Sequence, residues 1–184
     1  MSKAVLISIR PKWCEKIING VKTVEVRKSR PKLEPPFKCY IYCTRPRFPH
    51  EDHMTFFDRR ECFYAGGLVV GEFVCNEFTP YCNARPVRNV EDIERRSCLS
   101  RKEIWEYEPN GNPIGWHISD LVIYDAPKEL NEFERPCKCV GEYEGEWYCD
   151  CLNCDDAGDS DYGVIACDRS LKRPPQSWCY VDGK

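Results

Sequence analysis

Three features of the 184-residue sequence predict an α+β domain in which short helices are set among strands. Two apolar runs rich in β-branched residues, Ala4 to Ile9 and Gly67 to Cys75, have the length and composition of buried strands. A third run, Phe37 to Thr44, alternates Phe37, Cys39, Ile41 and Cys43 with Lys38, Tyr40, Tyr42 and Thr44, the period of a strand with one face in the core. Two helix starts complete the pattern. Pro11, whose fixed φ suits a first helical position, precedes Trp13, Ile17 and Ile18, and Ser100 followed by Glu103 forms a capping box.

Taken in order, Ala4 to Ile9 is expected as a central strand. The helix after it stops at Gly20, a residue suited to the left-handed conformation. A strand follows at once, in which Val24 and Val26 point one way and Thr23, Glu25 and Arg27 the other. Glu25 and Arg27 therefore share a face, whereas Lys22 sits at the junction, where the pattern does not fix its direction. By residue type alone, Glu25 and Arg27 make a surface ion pair of small energetic value. Arg30 to Pro36 is a proline-stiffened connection that cannot continue a sheet. Tyr40 and Tyr42 are either packing aromatics or part of a base-stacking wall. Arg45 to Gly66 is polar, basic and without period, and is expected to be a loop with one short helix.

Glu72 is the single charge in the Gly67 to Cys75 run, so it either faces solvent or is held by a partner. Ser97 to Tyr107 is expected as the second helix, ending before Pro109 and Gly111. Ile114 to Tyr124 reads as a strand with Trp116 and Ile118 on one side and His117 on the other. Tyr162 to Cys167 reads as a further strand. Pro174 to Val181 closes the fold, with Trp178 and Tyr180 as sealing residues or Trp178 as a flat face for a base.

Charge is unevenly spread. The net value is −3, but residues 1–60 hold fourteen Lys and Arg against six Asp and Glu, a net +8, which leaves −11 for residues 61–184. A basic front such as Arg27 to Lys32 suits phosphate, and the acidic remainder favours solubility. No apolar run approaches the ~20 residues that cross a bilayer, and the N-terminus lacks a secretory pattern, so a cytoplasmic protein with no membrane partner is expected. Fourteen cysteines in that setting indicate thiols and metal ligation over disulfides.

The stretch Gly20-Val21-Lys22-Thr23-Val24-Glu25-Val26-Arg27, preceded by Ile7 to Trp13, resembles the G-x-K-x-x-E-x-R signature of the ASCH domain, a member of the PUA-like superfamily. The similarity continues at Val69 to Phe73 and Gly115 to Ile118, and Pro174 to Tyr180 is similar to the ending of bacterial and phage ASCH-like proteins. The resemblance implies a small mixed β-barrel with flanking helices and a cleft beside the signature. It implies binding of RNA, single-stranded nucleic acid or a nucleotide-like small molecule there, with Arg10, Lys12, Trp13, Lys22, Glu25, Arg27, Lys28 and Arg30 as the binding set. It also places Glu72 next to Lys22. The alternative is a hydrolase acting on a modified nucleoside, amidohydrolase-like, or on RNA, with Lys22, Glu25 and Glu72 as catalytic candidates. The threonine that the amidohydrolase pattern carries three residues after the lysine is Glu25 here, which favours binding over catalysis.

Residues 1–130 and 162–184 are assigned to this barrel, and 131–161 to an acidic, Cys-rich insertion. Ten acids stand there against Arg135 and Lys138. The run Cys149-x-Cys151-x-x-Cys154 contains a turn that brings two thiolates to one tetrahedral zinc. Cys137, Cys139, Cys151, Cys154 and Cys167 form the pool of ligands for one structural zinc. So polar a segment buries little apolar surface, and a metal would supply its folding energy.

Overall fold

The computed structural model describes residues 3–46, 55–57, 62–81, 88–109, 111–136, 140–143, 146–149 and 169–183. Strand β1 (Lys3–Ile9) leads into helix α1 (Pro11–Ile18), then β2 (Val24–Arg27), β3 (Phe37–Cys43), β4 (Thr55–Phe57), β5 (Cys62–Tyr64) and β6 (Val69–Pro80). Helices α2 (Arg88–Ser97) and α3 (Arg101–Tyr107) precede β7 (Ile114–Lys128), β8 (Val140–Tyr143), β9 (Glu146–Cys149) and β10 (Trp178–Asp182). Six strands form one mixed sheet in the order β10-β1-β3-β6-β7-β2. Only β1 and β3 run parallel, joined through α1 and β2; the other pairs are antiparallel. The sheet curls into a half-barrel, the α+β architecture expected.

The β1 run is buried from Ala4 to Ile9 because it has a strand on each side. Strand β3 buries both its faces. Phe37, Cys39, Ile41 and Cys43 join Val5, Ile7, Ile9, Phe73 and Trp116 inside the curl, while Tyr40 and Tyr42 pack with Leu6, Val69, Phe133 and Leu171 outside it. The two tyrosines are thus packing aromatics, Tyr40 lying edge-on to Phe133 at 4.8 Å. A third cluster packs Val24 and Val26 against Val90 and Ile93 of α2 and Ile104 of α3.

Helix α1 starts at Pro11, and Gly20 takes φ +70° beyond its end, as the sequence requires. The capping box at Ser100 forms with both hydrogen bonds. The segment before it departs from expectation. Arg88–Ser97 is a separate helix, and Cys98 at φ 57° turns the chain into α3. Too few apolar residues mark α2 from its sequence; Val90 and Ile93 suffice because they meet β2. Within 45–66 the described residues contain the β4–β5 hairpin, not a helix. Between β7 and β10 lies a second hairpin, β8–β9, outside the main sheet. The proposed zinc ligands Cys137, Cys139, Cys151, Cys154 and Cys167, and the strand expected over 162–167, lie outside the described residues. No helix among the described residues is long and apolar enough to cross a membrane.

Gly71 sets the approach of β6 to β7. A Cβ there would stand 2.5 Å from the Val122 carbonyl oxygen, which cannot retreat without moving the strand. Gly71→Ala is expected to lower stability by about 1–3 kcal/mol through this overpacking, measured as a shift in the urea midpoint at unchanged slope.

Candidate functional site

Lys22, Glu25 and Arg27 lie side by side in the interior, 2%, 7% and 8% exposed. Burial overturns the surface ion-pair expectation. The alternation in β2 sends Val24 and Val26 toward the helices, so Glu25 and Arg27 turn into the curl of the sheet, where Glu25 pairs in register with Trp116 of β7. Arg27 Nη2 lies 3.1 Å from Glu25 Oε1 and donates to the Ser8 carbonyl at 2.6 Å, and Nη1 reaches Ser177 Oγ at 3.5 Å. Because β2 and β10 end the sheet on opposite sides, these bonds draw its far edge onto β1 and the approach to β10. Arg27 is the clasp of the half-barrel.

Lys22 turns inward as well. Its Nζ donates to the carbonyls of Val24 and Ser97, both at 2.8 Å, and stands 3.2 Å from Glu25 Oε2. The last contact is within ion-pair range but off hydrogen-bond geometry, which leaves Oε2 without a hydrogen-bond partner. Arg27 Nε and Trp116 Nε1 share that condition, and these three are the buried side-chain polar atoms so placed among the described residues. A buried polar group without a partner costs about 1–3 kcal/mol. One acceptor and two donors of this kind lie on neighbouring residues of β2 and β7.

Aromatic rings surround the cluster. Trp116 is fully buried, with Phe78 at 5.5 Å, Phe37 at 6.1 Å and Trp178 at 6.1 Å between ring centroids. Trp178 in turn lies 5.5 Å from Tyr180, whose hydroxyl accepts from the Lys32 amide at 2.7 Å. Trp13, Phe78, Trp178 and Tyr180 are only partly buried and pack against the same core. Lys22 Nζ lies 5.2 Å from the Trp13 ring centroid, and the exposed Lys12 Nζ is 4.5 Å from it. Arg30 stands over Phe78 at 5.4 Å and is exposed, as is Arg10 at the start of α1.

Of the residues singled out from sequence, Trp13, Lys22, Glu25 and Arg27 come together, with Arg10, Lys12 and Arg30 in exposed positions. Lys28 does not join them. It follows the Val24–Val26 side of the alternation and pairs with Glu108 at 2.9 Å, above the Tyr107 ring. Nor does Glu72. It pairs with Tyr40 across β3, on the outer face of the sheet, and is held by Lys38 at 2.8 Å and the Tyr124 hydroxyl at 2.6 Å. The expectation that it faces Lys22 fails because the alternation of β6 directs it away from the curl. Sequence reasoning missed Phe78, Trp116 and Ser177 as site neighbours. Trp116 carried a signal in its alternation with His117, but its register against Glu25 comes only from the pairing of β2 with β7.

This curled mixed half-barrel is the ASCH type of fold, and the chain has that fold. It is similar to the crystal structure of ASCH from Zymomonas mobilis, with a TM-score of 0.50 and 21% identity over 70% of this chain and 75% of that one. It is similar also to two mutant proteins of the same ASCH, each at a TM-score of 0.51 and 20% identity. They cover 71% and 70% of this chain and are themselves covered to 78% and 75%. No protein-family model matches the sequence, and no curated protein matches it.

Glu72 yields a pH test. Burial pushes its carboxyl up, but hydrogen bonds from Lys38 and Tyr124 and the charges of Lys38 and Lys128 outweigh burial and hold it below its ordinary value. A carboxyl depressed by folding adds stability that is fully present above its unfolded pKa and is lost as pH falls through the lower folded one. Glu72→Gln is therefore expected to cost at most about 1 kcal/mol at pH 7, because the pair is partly solvated. The cost should shrink toward zero as pH falls through the depressed value. Denaturation curves of both proteins from pH 7 to pH 3 measure this.

Proposed function

We propose that the protein binds single-stranded nucleic acid, RNA foremost, or a nucleotide-like small molecule, in the ASCH-type cleft at the clasp, and does so in the cytoplasm. The observation that carries this reading is the set of buried atoms that make no hydrogen bond, Glu25 Oε2, Arg27 Nε and Trp116 Nε1, with partly buried aromatics packed around them and exposed cations nearby. A base stacked on Trp13 or Trp178 would present its edge to Glu25 and Arg27, the acid accepting from a base N–H and the guanidinium donating to a ring nitrogen or carbonyl. Arg10, Lys12 and Arg30 are the exposed cations available to phosphates. Lys22 acts on Glu25, since its hydrogens serve two backbone carbonyls. The hydrolytic alternative, on a modified nucleoside or on RNA, loses Glu72 and retains a lysine already bonded, so binding is the better supported.

Fluorescence anisotropy with a short labelled single-stranded RNA tests this. If three phosphates are neutralised, log K should fall with log salt at a slope of about 2, from about 0.7 per phosphate. Arg30→Ala should reduce that slope by about 0.7, and Trp178→Ala should weaken binding by about 1–3 kcal/mol. A flat salt response, with no effect of Trp178→Ala, would contradict the reading.

We also propose one structural zinc held by thiols drawn from Cys137, Cys139, Cys151, Cys154 and Cys167. The support is the density of cysteines in a segment with ten acids and little apolar surface. Protein purified without added metal should contain about one zinc per chain by elemental analysis, a stoichiometry set by four tetrahedral ligands. Chelation or acidification should release it and open residues 131–167 to proteolysis, with the main sheet intact. A zinc content far below one per chain would end the proposal.

A further inference from the structure

The face of β2 turned away from the charged cluster borders a second polar site. His117 pairs in register with Val24, opposite in direction to Trp116 and Glu25, and points toward α2. A cavity of about 410 Å³ lies there, lined by Glu77 to Pro80 of β6, Phe78 included, by Asp92, Ile93 and Arg96 of α2, and by His117 of β7. That volume lies within the span of small-molecule sites.

The side chains stand in an ordered relation. Thr79 Oγ1 is 2.8 Å from His117 Nε2, and Glu77 Oε2 is 3.8 Å from His117 Nδ1. A carboxylate on the Nδ1 side favours the tautomer with its proton on Nδ1, because a lone pair there would face a negative charge. Nε2 then keeps its lone pair and accepts from the Thr79 hydroxyl. The hydroxyl's other acceptor, Glu77 Oε1, is farther off at 3.4 Å. Burial, and after it the charge of Arg96, push the His117 pKa below its ordinary value, against the opposite pull of Glu77 and Asp92. The imidazole is therefore neutral near pH 7, as a general base must be. Arg96 is fixed by Thr23 Oγ1 at 3.1 Å and Asp92 at 3.4 Å, its guanidinium lining the same cavity.

We propose that Thr79 and His117, positioned by Glu77, form a nucleophile and base that hydrolyse small carboxylic esters in this cavity, with Arg96 facing the carbonyl oxygen. Thr79 Oγ bonds to the acyl carbon as its proton passes to His117 Nε2. The ester C–O bond breaks, and the alcohol leaves with that proton. Water then attacks the acyl-threonine, giving a proton to His117. The acyl–Oγ bond breaks, Thr79 recovers the proton, and the carboxylic acid departs. Arg96 meets the negative charge that develops on the carbonyl oxygen in both steps. The Glu77 contact is longer than a hydrogen bond, and catalytic contacts of this sort tighten when substrate is bound. The two sites use opposite faces of β2, and Phe78 borders both.

The test uses the full chain with p-nitrophenyl acetate. Expected are a burst of nitrophenolate, a single acetyl group on the Thr79 peptide by mass spectrometry, and a rate that rises with pH to a plateau with its midpoint below 6.5, the ordinary histidine value. His117→Gln and Thr79→Val should each lower turnover about 100-fold or more, with folding checked by circular dichroism. Thr79→Ser should still acetylate at position 79. Glu77→Gln should slow the reaction and move the pH midpoint further down, because a charge that raises the His117 pKa is gone. Acetylation of lysines or cysteines with Thr79 unmodified, or unchanged turnover in a folded Thr79→Val, would overturn the proposal.

Discussion

The closure of the sheet depends on a buried ion cluster in which one carboxylate serves two cations. Glu25 stands between Lys22 and Arg27, each within 3.2 Å of it, and the three carry a formal charge of +1 into the interior. Backbone carbonyls balance that excess. Arg27 donates to Ser8 on β1, and Lys22 donates to Ser97 at the end of α2. Each cation thereby holds a different part of the fold to β2, Arg27 the far side of the curl and Lys22 the helical layer. Desolvation of such charges costs several kcal/mol per ion, which the mutual attraction offsets only where the geometry is good. Glu25 Oε2 and Arg27 Nε make no hydrogen bond, so the offset is incomplete.

Strand β2 is only four residues long, yet it divides the molecule's chemistry. Its valines anchor the two helices, and its charged residues form the clasp. Because β7 crosses it in register, the alternation of β7 is divided in the same way, Trp116 falling to the clasp and His117 to the helical side. The two sites therefore share a strand pair, and Phe78 borders both. A change that slips the register of β2 by one residue would exchange the faces and lose both.

The sequence made legible whatever depends on local period. The burial of β1, the alternation of β3, the stop at Gly20, the capping box at Ser100 and the common face of Glu25 and Arg27 all follow from short-range rules, and the structure has each of them. What depended on distant partners was hidden. Lys22 lies at a junction where no period applies, and its inward direction is set by the Ser97 carbonyl, 75 residues away. The resemblance places Glu72 at the site, but the pairing of β3 with β6 puts it beside Lys38 on the outer face. Helix α2 escaped notice because its few apolar residues are meaningful only against β2. Fold resemblance guided the choice of cleft; the side-chain alternation decided which residues enter it.

If closure of the sheet depends on the charges of the clasp and the backbone carbonyls they hold, removing all three charges should cost no less than removing one. The most direct measurement is the unfolding free energy of Glu25→Gln beside that of the combined replacement Lys22→Met, Glu25→Leu, Arg27→Met. The single variant should lose about 3–5 kcal/mol because two buried cations lose their counter-charge, and the triple should be no more stable than it, because the bonds to Ser8 and Ser97 are gone as well. A triple variant that matches or exceeds the parent would show that apolar packing alone closes the sheet, contradicting the account.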